Sequence, residues 1–116
     1  MSFITVATVD ELTDDLPLAV DAGEFDVAIV LDKGEYYAIK DECSHANVPL
    51  SEGDVEDVDG RCTIECYLHG SRFDLATGAA INLPATKPVP VYPVRIVGND
   101  VQIDVDNPLN NEDFTN

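Results

Sequence analysis

Two short segments constrain this chain more than anything else in it: Cys43-Ser44-His45 and, after twenty residues, Cys66-Tyr67-Leu68-His69. Within each segment the Cys and the His are too close in sequence to serve separate sites. Each therefore offers one sulfur and one nitrogen to the same neighbourhood. Both His of the chain and two of its three Cys are used this way. Two soft thiolates and two imidazoles suit either zinc or an iron–sulfur cluster. A zinc finger groups Cys with Cys and His with His. Here each segment mixes the two, with Cys first. That interleaving favours a two-iron cluster, with both Cys on one iron and both His on the other. A structural zinc module is the alternative.

The rest of the composition is that of a small carrier. The chain has 116 residues, one domain's worth. Its core is modest, so a bound cluster is expected to contribute to folding, as metals do in other small domains. An odd number of Cys does not read as a disulfide framework. The start of the sequence has neither a basic nor an apolar signal region, and no apolar run is long enough to cross a bilayer. A cytoplasmic location without membrane attachment is expected. Acids outnumber bases by 23 to 6, a formal charge of −17, which repels nucleic acid and anionic membrane. That acidity serves either solubility in a salty cytosol or steering toward a basic partner. Cys62 shares strand parity with Ile64 and Cys66 and reads as a buried core thiol, not a fifth ligand.

The chain reads as short strands and turns. Strands are expected at residues 3–7, 16–20, 25–31 and 36–40, with a short polar connection at 9–12 and turns at 21–24 and 32–35. Between the two ligand segments, residues 54–58 and 61–65 form a hairpin around Asp59-Gly60, a type I′ pair. This would carry Cys66 back beside Cys43. Residues 73–75 and 79–81 form another hairpin, and 91–97 pairs with 101–105 across Gly98. No long amphipathic helix is evident. Many short strands with regular turns imply an all-β fold, a small antiparallel barrel or sandwich. The domain is expected to span residues 1–105, followed by a polar tail, 106–116, in a frayed state. Phe114 could instead anchor the tail to the body.

The ligand pattern and its flanks, Cys43-Ser44-His45-Ala46, Cys66-Tyr67-Leu68-His69-Gly70-Ser71-Arg72-Phe73-Asp74 and Leu83-Pro84-Ala85-Thr86-Lys87-Pro88-Val89, resemble the Rieske [2Fe–2S] family. The resemblance covers about residues 3–105 and is nearest to the soluble ferredoxins that serve bacterial ring-hydroxylating dioxygenases. Respiratory Rieske proteins carry a second Cys pair joined by a disulfide. Val48 and Leu68 stand at those positions here, which fits a reducing compartment.

The resemblance implies a small antiparallel β-fold with a cluster-binding subdomain at one end. It implies one [2Fe–2S] cluster held by Cys43, His45, Cys66 and His69. Ser44, Gly70, Ser71 and Pro84 would surround it: Gly70 to let the backbone approach, residues 84–88 as a cover, and Ser44, Ala46, Tyr67 and Leu68 as the exposed rim. In high-potential members a Ser and a Tyr donate hydrogen bonds to sulfur. Ser71 matches the Ser, but Phe73 stands where the Tyr would be. The potential is then expected in the lower half of the Rieske window of about −150 to +300 mV. The implied function is one-electron transfer by a monomer, not catalysis. Electrons would pass from a ferredoxin reductase to an acceptor such as an oxygenase, through basic partner surfaces. A subunit like the small one of assimilatory nitrite reductase, or an accessory of cluster assembly, is the alternative. The length leaves no room for the mononuclear iron domain of a catalytic oxygenase subunit.

Overall fold

Val27, Ala28, Ile29 and Val30 follow one another without a polar break, which a strand exposed on one face would not show. The computed structural model describes residues 3–43, 48–68, 70–83 and 87–110, and it gives the reason. These four residues lie in a strand, Phe25–Asp32, that is buried on both faces. Successive side chains of a strand point to opposite sides. Val27 and Ile29 accordingly enter one core, Ala28 and Val30 a second.

Ten strands are formed among the described residues: β1 (Ile4–Thr8), β2 (Leu18–Ala22), β3 (Phe25–Asp32), β4 (Glu35–Lys40), β5 (Val55–Val58), β6 (Arg61–Glu65), β7 (Arg72–Asp74), β8 (Val91–Tyr92), β9 (Val94–Val97) and β10 (Asp100–Ile103). They make three antiparallel sheets, ordered β1-β10-β9, β2-β3-β4-β8 and β5-β6-β7. The first two sheets share a core of Ala7, Val27, Ile29, Tyr92, Val101 and Ile103. The opposite face of β3 and β4 shares the second core with the third sheet, through Ile39, Leu50, Ile64, Phe73, Leu75 and Val91. The fold is the expected all-β, antiparallel one. It is a layered sandwich, and the described strands do not close into a barrel.

Local chemistry accounts for most boundaries. The β3–β4 and β5–β6 hairpins turn on Lys33-Gly34 and Asp59-Gly60, all four with φ between +52° and +82°. Such pairs match the strand twist of a two-residue hairpin. The expected strand 91–97 is divided at Pro93, which lacks the N–H a ladder needs. β8 stays with β4, while β9 joins β10. Pro17 likewise delays β2 to Leu18. The polar connection after β1 winds into a 3₁₀ turn, Val9–Glu11, where Glu11 accepts the Thr8 N–H at 2.7 Å. A second 3₁₀ turn, Leu50–Glu52, was not foreseen. The expected strand at 79–81 amounts to a single bridge, Phe73 to Ala80.

The tail departs from expectation. Residues 106–110 are held instead of frayed. The Leu109 N–H donates to the Val91 carbonyl at 2.8 Å. The Asn110 side chain accepts from the Val91 N–H at 3.1 Å and donates to the Thr77 and Val89 carbonyls, each at 3.0 Å. A short amide side chain can serve as a strand partner, and composition alone hides that. Phe114, with residues 111–116, lies outside the described residues.

Candidate metal centre

Cys43 follows β4 by two residues, and Cys66 follows β6 directly. Both are closed off in the same way. The Cys43 N–H donates to the carbonyl of Val48 at 3.0 Å, and the Cys66 N–H to the carbonyl of Ser71 at 2.7 Å. Each Cys therefore stands at the base of a six-residue loop, 43–48 or 66–71, closed by one hydrogen bond to the fifth residue on. In sequence, His45 and His69 fall between these ends. Cys43 is 3% exposed and Cys66 fully buried, and both belong to the second core. Both are free of disulfides.

Two devices bring the loops together. Asp41, at the entry to the first loop, accepts the Ser51 N–H at 2.6 Å and its hydroxyl at 2.7 Å. That ties the stretch after the loop back to its start. Gly53 then lies against the end of β6: a Cβ there would sit 1.6 Å from the carbonyl oxygen of Glu65, the residue before Cys66. No motif or periodicity marked Asp41, Ser51 or Gly53, because their partners are distant in sequence.

The second loop is shaped by Gly70 and its neighbours. Gly70 has φ +76°, a left-handed conformation that favours glycine. A Cβ there would meet only Glu65 Oε2, at 3.9 Å, so conformation and not crowding demands the glycine. The Gly70 N–H donates to the Cys66 carbonyl at 2.9 Å. Ser71 is fully buried beside Cys66. Phe73 is fully buried in the same core and brings no hydroxyl. Tyr67 and Leu68 are each 53% exposed, and Leu83 is 75% exposed, giving an apolar rim. Arg72 packs behind the loop, its guanidinium 3.3 Å from Glu56 and 3.4 Å from Glu65. Of the expected site residues, Ser44, His45, His69 and Pro84, with Ala46 of the rim, lie outside the described residues.

Cys62 corrects an expectation. It packs against the second core but is only half-buried, and its sulfur gathers with the carboxylates of Asp32 and Asp57. Burial, then a hydrogen bond to Asp32 and the nearby acids, push its thiol up to about 12. A thiol that keeps its proton at neutral pH is a poor metal ligand. Lys33 forms an ion pair with Asp57.

Two buried thiols at the bases of equal loops fit a cluster that is enclosed on its sulfur side. The fold and this donor set define a small antiparallel β-domain built to carry an iron–sulfur centre. The chain belongs to the Rieske [2Fe-2S] domain family, which it matches over residues 2–93. The cofactor of this family is a [2Fe–2S] cluster of the Rieske type.

The chain is 51% identical, over 72 residues, to the 3-phenylpropionate/cinnamic acid dioxygenase ferredoxin subunit of Shigella boydii serotype 4 (strain Sb227), covering 62% of this chain and 65% of that protein. It thus spans just under two thirds of that curated relative. Among solved structures it resembles the ferredoxin of carbazole 1,9a-dioxygenase from Nocardioides aromaticivorans IC177, with 37% identity and a TM-score of 0.82. That likeness covers 89% of this chain and 97% of the other. It also resembles, at 28% identity and a TM-score of 0.76, a chain in the complex of reduced oxygenase and oxidized ferredoxin in carbazole 1,9a-dioxygenase, covering 87% of this chain and 91% of that one. No helix among the described residues is long and apolar enough to cross a membrane.

Proposed function

We propose that this chain is a one-electron carrier, a ferredoxin that takes an electron from a reductase and passes it to an oxygenase, without catalysing a reaction itself. The observation that carries this reading is the pair of buried cysteines, outside any disulfide, at the bases of matched loops in one core. Cys43 and Cys66 would hold one iron of the cluster, and His45 and His69 the other. When bound, the cluster supplies a site that gains and loses one electron. The protein's part is to exclude water from the thiolates, through Leu50, Ile64, Phe73 and Leu75, and to leave an apolar rim of Tyr67 and Leu68 for docking. The carbazole dioxygenase structure, in which a ferredoxin meets its oxygenase, supports the choice of acceptor. The exposed acids Glu52, Asp54, Glu56, Asp57 and Asp59, on or beside the β5–β6 hairpin, favour partners with basic surfaces. Three thiols outside any disulfide suit a reducing cytoplasm. The protein acts as a monomer, since a transient partner needs the rim free.

Ser71 would donate its hydroxyl to a cluster sulfur, Gly70 shapes the turn before it, and Ser44 and residues 84–88 would complete the surroundings. With Phe73 in place of a second donor, the potential lies in the lower half of the window of about −150 to +300 mV. The test is an electron paramagnetic resonance spectrum of the dithionite-reduced protein, followed by potentiometry. A rhombic signal of a mixed nitrogen–sulfur centre is expected. So is its replacement, or loss of the cluster, in His69→Cys. A colourless protein with a single zinc ion, or an unchanged spectrum in His69→Cys, refutes the assignment.

A further inference from the structure

β7 has β6 along one edge. Along the other, backbone pairing ends early. The Asp74 N–H donates to the Ala79 carbonyl at 2.9 Å, and the Ile81 N–H to the Arg72 carbonyl at 2.8 Å. Beyond Ile81 a side chain takes over. Oδ1 of Asn82 accepts the Arg72 N–H at 2.6 Å, and Nδ2 donates to the Gly70 carbonyl at 3.1 Å. Had the antiparallel ladder continued, the Arg72 N–H would have met the Ile81 carbonyl; the Asn82 carboxamide takes that N–H instead and reaches on to the Gly70 carbonyl. A carboxamide carries a donor and an acceptor in one plane, as a peptide does. Asn82 thus stands in for a residue of strand, while the main chain leaves the sheet at Leu83, just before residues 84–88.

The two partners of Asn82 bracket Ser71. Cys66 grips Ser71 from inside, through its N–H to the Ser71 carbonyl; Asn82 grips the flanking backbone from outside. Asn82 is itself exposed, where hydrogen bonds add little to stability because water competes for both groups. Its placement is better accounted for by what it aligns.

We propose that Asn82 is a positioning residue for the redox centre. Its carboxamide fixes residues 70–72, and with them the Ser71 hydroxyl, against the segment that begins at Leu83, and so helps to set the reduction potential. This rests on the ligand and Ser71 assignments proposed above. A hydrogen bond donated to a cluster sulfur favours the more negative, reduced state and raises the potential. Freeing the 70–72 stem weakens that bond, so losing Asn82 lowers the potential.

The test compares the cluster-loaded full chain with Asn82→Ala, Asn82→Ser and Asn110→Ala, by potentiometry and paramagnetic resonance. Asn82→Ala is expected to keep its iron and sulfide and to shift the reduction equilibrium several-fold toward the oxidised form. At tenfold the midpoint falls by about 59 mV for one electron, with altered g-values. Asn82→Ser keeps a hydroxyl for one of the two partners and falls between. Asn110→Ala removes the same amide chemistry from Thr77, Val89 and Val91. It is expected to lower the thermal midpoint and leave the potential at the wild-type value. A wild-type potential and spectrum in both Asn82 variants, or an equal shift in Asn110→Ala, overturns the proposal. Should Asn82→Ala lose its cluster, Asn82→Ser is read against the same two outcomes. Wild-type protein lacking iron and sulfide refutes the ligand assignment itself, a failure separate from these.

Discussion

Gly53 shows how much one missing Cβ decides. Its backbone angles, φ −92° and ψ −178°, suit any residue, so the requirement is purely one of space against the Glu65 carbonyl. Gly53→Ala must push the 50–54 segment off the end of β6, beside Cys66. A loss of about 1–3 kcal/mol is expected, as for other overpacked sites. Heating the loaded protein while following its visible absorbance should show a lower midpoint and faster bleaching. An unchanged midpoint would mean the two loops are held elsewhere. Asp15 carries the opposite sign of effect. Its carboxyl is held above the ordinary 3.8, first by the hydrogen bond to Asp32, then by burial and by repulsion from Asp32, Asp14 and Asp57. A carboxyl raised in the folded state favours folding while protonated. That contribution is present below 3.8 and is lost as pH rises through the folded value. At pH 7 the contact is therefore repulsive. Asp15 also has φ +61°, which Asn tolerates. Asp15→Asn is expected to raise the melting temperature at pH 7, with a gain that shrinks as pH falls below 4. Equal gains at both pH values would remove the repulsion from the account.

At the scale of elements, β3 and β4 form a wall between two cores, and matched truncations on its two sides should separate them. Ile29 faces the core shared by the first two sheets and Ile39 the second core, which holds Cys43 and Cys66, and both are fully buried. Either change to Ala should cost about 2–5 kcal/mol. Only Ile39→Ala, whose cavity opens toward Cys43 and Cys66, should also speed loss of the cluster under chelator. Equal cluster lifetimes in the two variants would show that the cores act as one. The hairpin of this wall, and the β5–β6 hairpin of the third sheet, were legible in the sequence, because Lys33-Gly34 and Asp59-Gly60 announce their turns. The switch of sheets at Pro93 was not, although Pro93 itself was in view. A missing N–H says that pairing stops, but not which sheet the next residues join.

For the whole molecule, the charge of −17 acts on stability and on partners alike. Self-repulsion weakens the compact state, and salt screens it. The Debye length falls from about 30 Å at 0.01 M to about 8 Å at 0.15 M. The melting temperature is expected to rise over that range, while the second-order rate of electron transfer with a basic partner falls. A rate indifferent to salt would leave the acidity serving solubility alone.

The residues by themselves pointed to the family and its cluster, the all-β class and most of the turns. Each of these rests on short-range chemistry: Cys and His in one loop, period-two apolar runs, and glycines at positive φ. Tertiary structure alone decided which strands share a sheet and that Gly53 touches Glu65. It also decided that Cys62 faces two carboxylates, and that Asn82 and Asn110 complete ladders the backbone leaves open. Those side-chain contacts join positions from 5 residues apart, Cys62 and Asp57, to 33 apart, Asn110 and Thr77, and no local pattern encodes which partner a side-chain amide or a bare Cα will meet.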